Sequence, residues 1–189
     1  VLTSHSIVKK PFVELDSSEK EQSLVVFEDV SFAYASKEVI NSLSCDLRRG
    51  TVVLFSGPSG SGKSTAVDLL LGIRSPEKGS IGKRKSLSVF YVSQHPFFPS
   101  CSISEYFKRV CPDASWEEVQ TYLTELKLLE LANNPDYYLG EAASNLSGGQ
   151  RQLIKLIASV LLQPDIVVFD ETTSGLDSQS EDAFFNIVR

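Results

Sequence analysis

The feature that most constrains this chain is Gly57-Pro58-Ser59-Gly60-Ser61-Gly62-Lys63-Ser64, which packs three glycines and three serines into eight residues between two apolar stretches. Before it, residues 51–55 form a short continuous apolar run bounded by Gly50 and Gly57, the pattern of a buried parallel strand. After it, residues 64–71 carry apolar side chains at helical spacing and stop at Gly72. A strand, a glycine loop and a helix in that order point to an α/β chain whose loop cradles phosphate. The glycines let the backbone wrap closely with its N–H groups inward, and the helix starting near Gly62 adds its positive end. Lys63 has the reach for the β- and γ-phosphates of a nucleoside triphosphate, and Ser64 offers its hydroxyl to Mg²⁺. Thr65 is an additional phosphate contact.

Downstream, Ile166-Val167-Val168-Phe169 reads as a second buried strand that ends on Asp170-Glu171. A carboxylate at the end of such a strand holds Mg²⁺, usually through water, because that ion prefers hard oxygen and keeps its hydration. Glu171, one residue on, is placed to polarise an attacking water beyond the γ-phosphate. Between these motifs, Leu146-Ser147-Gly148-Gly149-Gln150 leads into a helix predicted over 150–162 and ended by Gln163-Pro164.

Around the motifs, strand and helix patterns alternate. The β-formers Val25, Val26, Phe27, Val30 and Phe32 predict a strand over 24–34, and a second comes over 39–47 after a turn near Ser36-Lys37. Residues 87–92 read as another strand. The middle is helical: Ser102 with Glu105, and Ser115 with Glu118, have capping-box spacing, and Pro135 interrupts the helical pattern beyond them. Ser178 with Glu181 has the same spacing for a last helix. Residues 1–23 are polar and charge-mixed and read as a linker or the tail of a preceding domain. The rest, 24–189, reads as one α/β domain with a helical subdomain inserted at about 97–145.

The net charge of −6 argues against a nucleic-acid grip, which needs a basic face, and against a polybasic membrane anchor. Cys45, Cys101 and Cys111 form no CxxC pair and are odd in number, so they read as free thiols in a reducing compartment. No apolar run approaches the ~20 residues that cross a bilayer, and no leader of the secretory kind opens the chain. A chain that begins with Val and contains no Met reads as an excerpt of a longer protein.

Taken together, the glycine loop, the 146–150 run and Ile166-Val167-Val168-Phe169-Asp170-Glu171 resemble the nucleotide-binding domain of ABC ATPases over roughly residues 25–177. The resemblance implies a P-loop core of ABC type with a small antiparallel β part and an inserted α-helical subdomain. It places Tyr34 as the aromatic residue that stacks on adenine, a contact any base can make with a flat ring. It makes Gln94 the glutamine that reaches Mg²⁺ and the attacking water and senses the membrane partner. It makes 146–150 the signature loop, with Ser147, Gly148, Gly149 and Gln150 at a second helix N-terminus suited to phosphate. Two such ends are redundant within one site. The family resolves this by head-to-tail pairing, in which each signature loop completes the partner's ATP site and Asp177 lies in the loop crossing the interface. Gly140-Glu141 resembles a short motif of exporter-type members.

Three departures from the family pattern stand out. The span 72–94 is short, which predicts a reduced β part. Leu156-Ile157-Ala158-Ser159-Val160 lacks the arginine usual in that helix. The switch histidine expected beyond another strand does not occur before Arg189, so the chain as given is expected to bind ATP better than it hydrolyses it, with the end of its core sheet missing. The leading expectation is an ATP-hydrolysing motor domain of an ABC transporter, using ATP and Mg²⁺ on the cytoplasmic face of a membrane. Its expected partners are a second ABC ATPase domain, identical or related, and a transmembrane domain, fused or separate, with no nucleic acid. The alternatives are a soluble ABC-type ATPase acting on ribosomes or other complexes, and a regulatory module gated by ATP, which an intact Glu171 disfavours.

Overall fold

The structure is a computed structural model that describes residues 12–14, 23–35, 37–94 and 96–170, together with 182, 184 and 187. The chain divides into two compact units, Val1–Val89 and Phe90–Arg189.

The first unit is built on the hairpin of β2 (Ser23–Tyr34) and β3 (Lys37–Arg48), antiparallel, with Tyr34 opposite Lys37 and Ala35 turning the corner at φ 54°. The register slips by one extra residue on β2 at Asp29 and one on β3 at Ser42, both at φ 48°. Side-chain hydroxyls take up the backbone groups freed by these bulges: Ser44 Oγ accepts the Asp29 N–H and Ser31 Oγ accepts the Ser42 N–H, each at 2.9 Å. β2 is buried without a break from Ser23 to Phe27 and again at Val30, Ile40 of β3 is buried too, and Ala66, Leu69 and Leu70 of helix α1 (Lys63–Leu71) are buried in the same unit.

Two further strands extend the sheet to the order β1-β4-β2-β3. β4 (Lys78–Lys83) runs antiparallel to β2, with Phe27 opposite Ile81, and β1 (Phe12–Glu14) runs parallel to β4. Neither was expected. β4 has two glycines and two lysines around a single apolar residue, Ile81, and becomes a strand because β2 offers it an open ladder. β1 falls inside the stretch read as a linker, so part of that stretch joins the sheet.

The largest departure from expectation is residues 51–57, which form no strand. Val52 and Leu54 are 77 % and 84 % exposed. A short apolar run is a buried strand only where neighbours pair with it on both edges. Among the described residues β1 to β4 pair with one another in their own sheet, and β5 and β6 pair with each other.

The second unit is mostly helical: α2 (Ile103–Val110), α3 (Trp116–Glu125), α4 (Leu129–Asn133), a 3₁₀ turn (Glu141–Ala143) and α5 (Gly148–Leu162). Its core gathers Phe98, Ile103, Tyr106, Phe107, Leu123 and Ile154. At α3 the capping box forms in full. At α2 only half of it does, because Ser102 accepts the Glu105 N–H while the Glu105 carboxylate turns to Arg109 one turn on. α4 stops before Pro135, as expected. α5 ends at Gln163 in the left-handed conformation, ahead of Pro164.

β5 (Val89–Val92), whose first residue closes the first unit, pairs with β6 (Ile166–Phe169), which is half-buried rather than buried. The three cysteines are free. Burial pushes the Cys111 thiol up to about 11, and its Sγ donates to Ala158 O at 3.7 Å. Burial, then the neighbouring Asp46, pushes Cys45 to about 11. These thiols stay protonated at neutral pH and act as small packing groups.

Candidate nucleotide site

In the first unit the glycine loop is held from behind by β3. Gly62 is the N-cap of α1 at φ 94°, and a Cβ there would lie 2.9 Å from Val39 O, so neither the conformation nor the space admits a side chain. Within the loop the Ser61 N–H donates to Pro58 O at 3.2 Å. Lys63 curls back so that Nζ donates to Gly57 O at 2.9 Å and Pro58 O at 3.1 Å, which puts the ammonium over the loop.

Two features fit this loop to an anion. No side chain caps the N-terminus of α1 and no acidic residue sits in its first turn, so the positive end of the helix is uncompensated. Ser61 Oγ is buried without a hydrogen-bond partner, an orphan in a loop otherwise open to solvent. Thr65 is buried, and its Oγ1 lies 3.4 Å from the Tyr34 hydroxyl, which brings the tyrosine from the end of β2 to the helix that the loop begins. Tyr34 is 42 % exposed.

Gln94 and Asp170 belong to the second unit. The Asp170 N–H donates to Val92 O at 3.0 Å, two residues before Gln94, so the β5–β6 pairing delivers the carboxylate beside the glutamine's loop. Asp170 Oδ2 accepts the Tyr91 hydroxyl at 2.8 Å. Gln152 of α5 donates Nε2 to Gln94 O at 3.0 Å, and its buried Oε1 has no partner.

The signature loop is tightly organised. Ser147 and Gln150 form a complete capping box: Gln150 N–H donates to Ser147 Oγ at 3.1 Å and Ser147 N–H to Gln150 Oε1 at 2.8 Å. Arg151 then ties α5 to the approach, donating from Nη1 to Ala143 O at 3.3 Å and Leu146 O at 3.2 Å. The Ser-x-x-Gln spacing was there to be read as a cap, whereas the roles of Tyr91, Arg151 and Gln152 depend on pairing and packing that carry no local pattern. Glu171 and Asp177 and the Ser178–Glu181 cap lie outside the described residues.

A family model described as ABC transporter matches residues 40–174, well over half of the chain. The zinc import ATP-binding protein ZnuC of Acinetobacter baylyi is 34 % identical over 168 residues, covering 88 % of this chain and 62 % of that protein. ZnuC of Wigglesworthia glossinidia brevipalpis is 28 % identical over 176 residues, covering 88 % of this chain and 70 % of its own. Among solved structures, a bacterial Atm1-family ABC exporter with ATP bound matches at a TM-score of 0.78 and 25 % identity, over 94 % of this chain and 34 % of that one. The chain thus spans roughly two thirds of these curated relatives and about a third of the exporter. The glycine loop, the carboxylate at the end of β6 and the capped signature helix are the parts of one ATPase fold, and the chain belongs to the ABC transporter family as its ATP-binding domain.

Proposed function

We propose that this domain is the motor of a membrane transporter, in which ATP clamps two such domains head to tail and hydrolysis releases them. The observation that carries the proposal is Gly148. As the first residue of α5 it has an ordinary backbone conformation, and a Cβ added there meets nothing within 4 Å. Neither backbone conformation nor packing requires glycine at this first helical position, so the fold of this chain gives no reason for it. Close approach by a phosphate from outside does, and the first unit already has a phosphate loop of its own. The most economical donor is the nucleotide of a second copy or a related domain.

In this reading Lys63 and the 57–65 backbone hold the phosphates, Tyr34 stacks on the base, and Ser147, Gly148, Gly149 and Gln150 meet the partner's γ-phosphate. Ser64, Asp170 and Gln94 supply the hard oxygens that suit Mg²⁺, which would neutralise charge on the phosphates. The Tyr91 hydroxyl donates to Asp170 Oδ2 and so fixes the orientation of the carboxylate that would hold the metal. Loss of one such bond at a partly exposed carboxylate is worth about 1 kcal/mol. Tyr91→Phe should therefore raise the Mg²⁺ concentration for half-maximal ATPase activity roughly five-fold with little change in ATP affinity. Magnesium titration of the variant checks this.

The helical subdomain, proposed at about 97–145, faces the membrane partner. Phe97, 77 % exposed and three residues after Gln94, is an apolar anchor for a transmembrane helix or loop. No described helix is long and apolar enough to cross a membrane, so the translocation path is assigned to a transmembrane domain, fused or separate, with this domain on its cytoplasmic side. The likeness extends to import and export proteins alike, so Gly140-Glu141 carries no direction by itself. A ribosome-acting ATPase is not favoured, since the ZnuC proteins and the Atm1-family exporter are transport components.

The test is Gly148→Ala in the full-length protein. Melting temperature should hold or rise slightly and ATP binding should stay within two-fold, while ATP-dependent dimerisation is lost and turnover falls at least ten-fold. Unchanged turnover would sink the head-to-tail arrangement.

A further inference from the structure

Arg74 lies over the ring of Tyr34. Its guanidinium carbon is 4.7 Å from the Tyr34 ring centroid and 5.6 Å from that of Phe32, and Phe32 meets Tyr34 edge-on at 5.1 Å. The arginine is fixed in place by the end of α1. Gly72 closes the helix in the left-handed conformation, at φ 78° and ψ 12°. The N–H groups of Ile73 and Arg74 then return to Asp68 O at 2.9 and 3.3 Å. The side chain returns to the same residue, with Arg74 Nε donating to Asp68 Oδ2 at 2.8 Å. Backbone and side chain of Arg74 thus both hang on Asp68, in the helix that Lys63 begins.

The Tyr34 ring is in consequence tied to α1 twice, at its hydroxyl by Thr65 and across one face by Arg74. At the last position of β2, next to a turn residue with positive φ, these two contacts add to that of Phe32 in restricting the ring. Its remaining exposure is the surface left for a ligand.

We propose that Arg74 is a positioning residue for the nucleotide base: it backs the Tyr34 ring so that the opposite face is held, ready, for a planar base. This rests on the reading of 57–65 and Tyr34 as a nucleotide site. The cation is attracted to the ring's electron-rich face. A planar guanidinium stacks while its Nε stays on the carboxylate, a combination that a lysine ammonium cannot reproduce. Holding the ring before the base arrives removes part of the ordering cost of binding. Since the arginine acts on the base end, a phosphate chain without a base should not sense it.

The experiment compares ATP with inorganic tripolyphosphate by calorimetric titration of the full-length protein. Arg74→Ala should weaken ATP roughly three- to ten-fold and leave tripolyphosphate within two-fold, with Arg74→Lys recovering less than half of the loss. Tyr34→Ala should show the same ligand selectivity, more strongly. Tighter ATP binding by Arg74→Ala would show that the arginine plugs the ring face, and equal weakening of both ligands would make it a prop of α1; either overturns the proposal. ATP binding unchanged by Arg74→Ala overturns it while leaving the nucleotide site standing. Wild-type protein that binds neither ligand overturns both.

Discussion

Full-length protein carrying Lys63→Ala is expected to lose roughly 30- to 150-fold in ATP affinity, about 2–3 kcal/mol, the upper range for a hydrogen bond between charged groups. The ammonium sits over the glycine loop, on Gly57 O and Pro58 O, where the β- and γ-phosphates are proposed to lie. Its removal costs two things: the charge itself and the pins that hold the loop's curvature. These separate in a melting experiment. The pins are exposed bonds to neutral carbonyls, so the nucleotide-free variant should melt within a few degrees of wild type. At an ATP concentration 100 times the wild-type Kd, wild type gains about 2.7 kcal/mol of stability from the ligand, and a variant weakened 100-fold gains about 0.4 kcal/mol. A large fall in the nucleotide-free melting temperature would mean that Lys63 is mainly a fastener of the loop. Unchanged ATP affinity would remove it from the site.

The residues that spoke clearly in the sequence were those whose demands are local. A glycine at φ 94°, a helix stopped by Gly72 and a Ser-x-x-Glu cap at α3 are each settled within a few positions. The β2–β3 hairpin was legible for the same reason, as two β-rich runs joined by a short turn. What escaped depends on partners far along the chain. β4 has an unpromising composition and is a strand only because β2 is beside it. Residues 51–55 have a strand's composition and no strand's neighbours. The same divide runs through the candidate site. The 57–64 loop and the Asp170 position can be read from motif spacing. The Tyr91 bond to Asp170 spans 79 positions, and the Arg74 contact with Tyr34 requires the end of α1 to meet the end of β2. Ser147 and Gln150 show a third case, in which a residue read for one role fills another as well. Their side chains cap α5, and that same cap shapes the helix end proposed to meet a phosphate.

Glu171→Gln is expected to reduce kcat by 10²- to 10⁴-fold, the usual share of a general base, while ATP binds as before. Glutamine has the shape of glutamate and cannot accept a proton, so the attacking water loses its activation and the phosphates lose no contact. The consequence for the assembly comes from linkage: ATP favours the clamped pair by its differential affinity for that state, and without hydrolysis the bias persists. Full-length Glu171→Gln protein should therefore accumulate as an ATP-bound closed dimer visible by cross-linking or by nucleotide occlusion. Adding Gly148→Ala to the same protein should dissolve that dimer, because in the proposed head-to-tail arrangement the trapped state needs the signature helix of one domain against the nucleotide of the other. If turnover survives the Glu171 change, another residue is the base. If turnover is lost but the dimer persists with Gly148→Ala, the clamp is held together by something other than the signature helix.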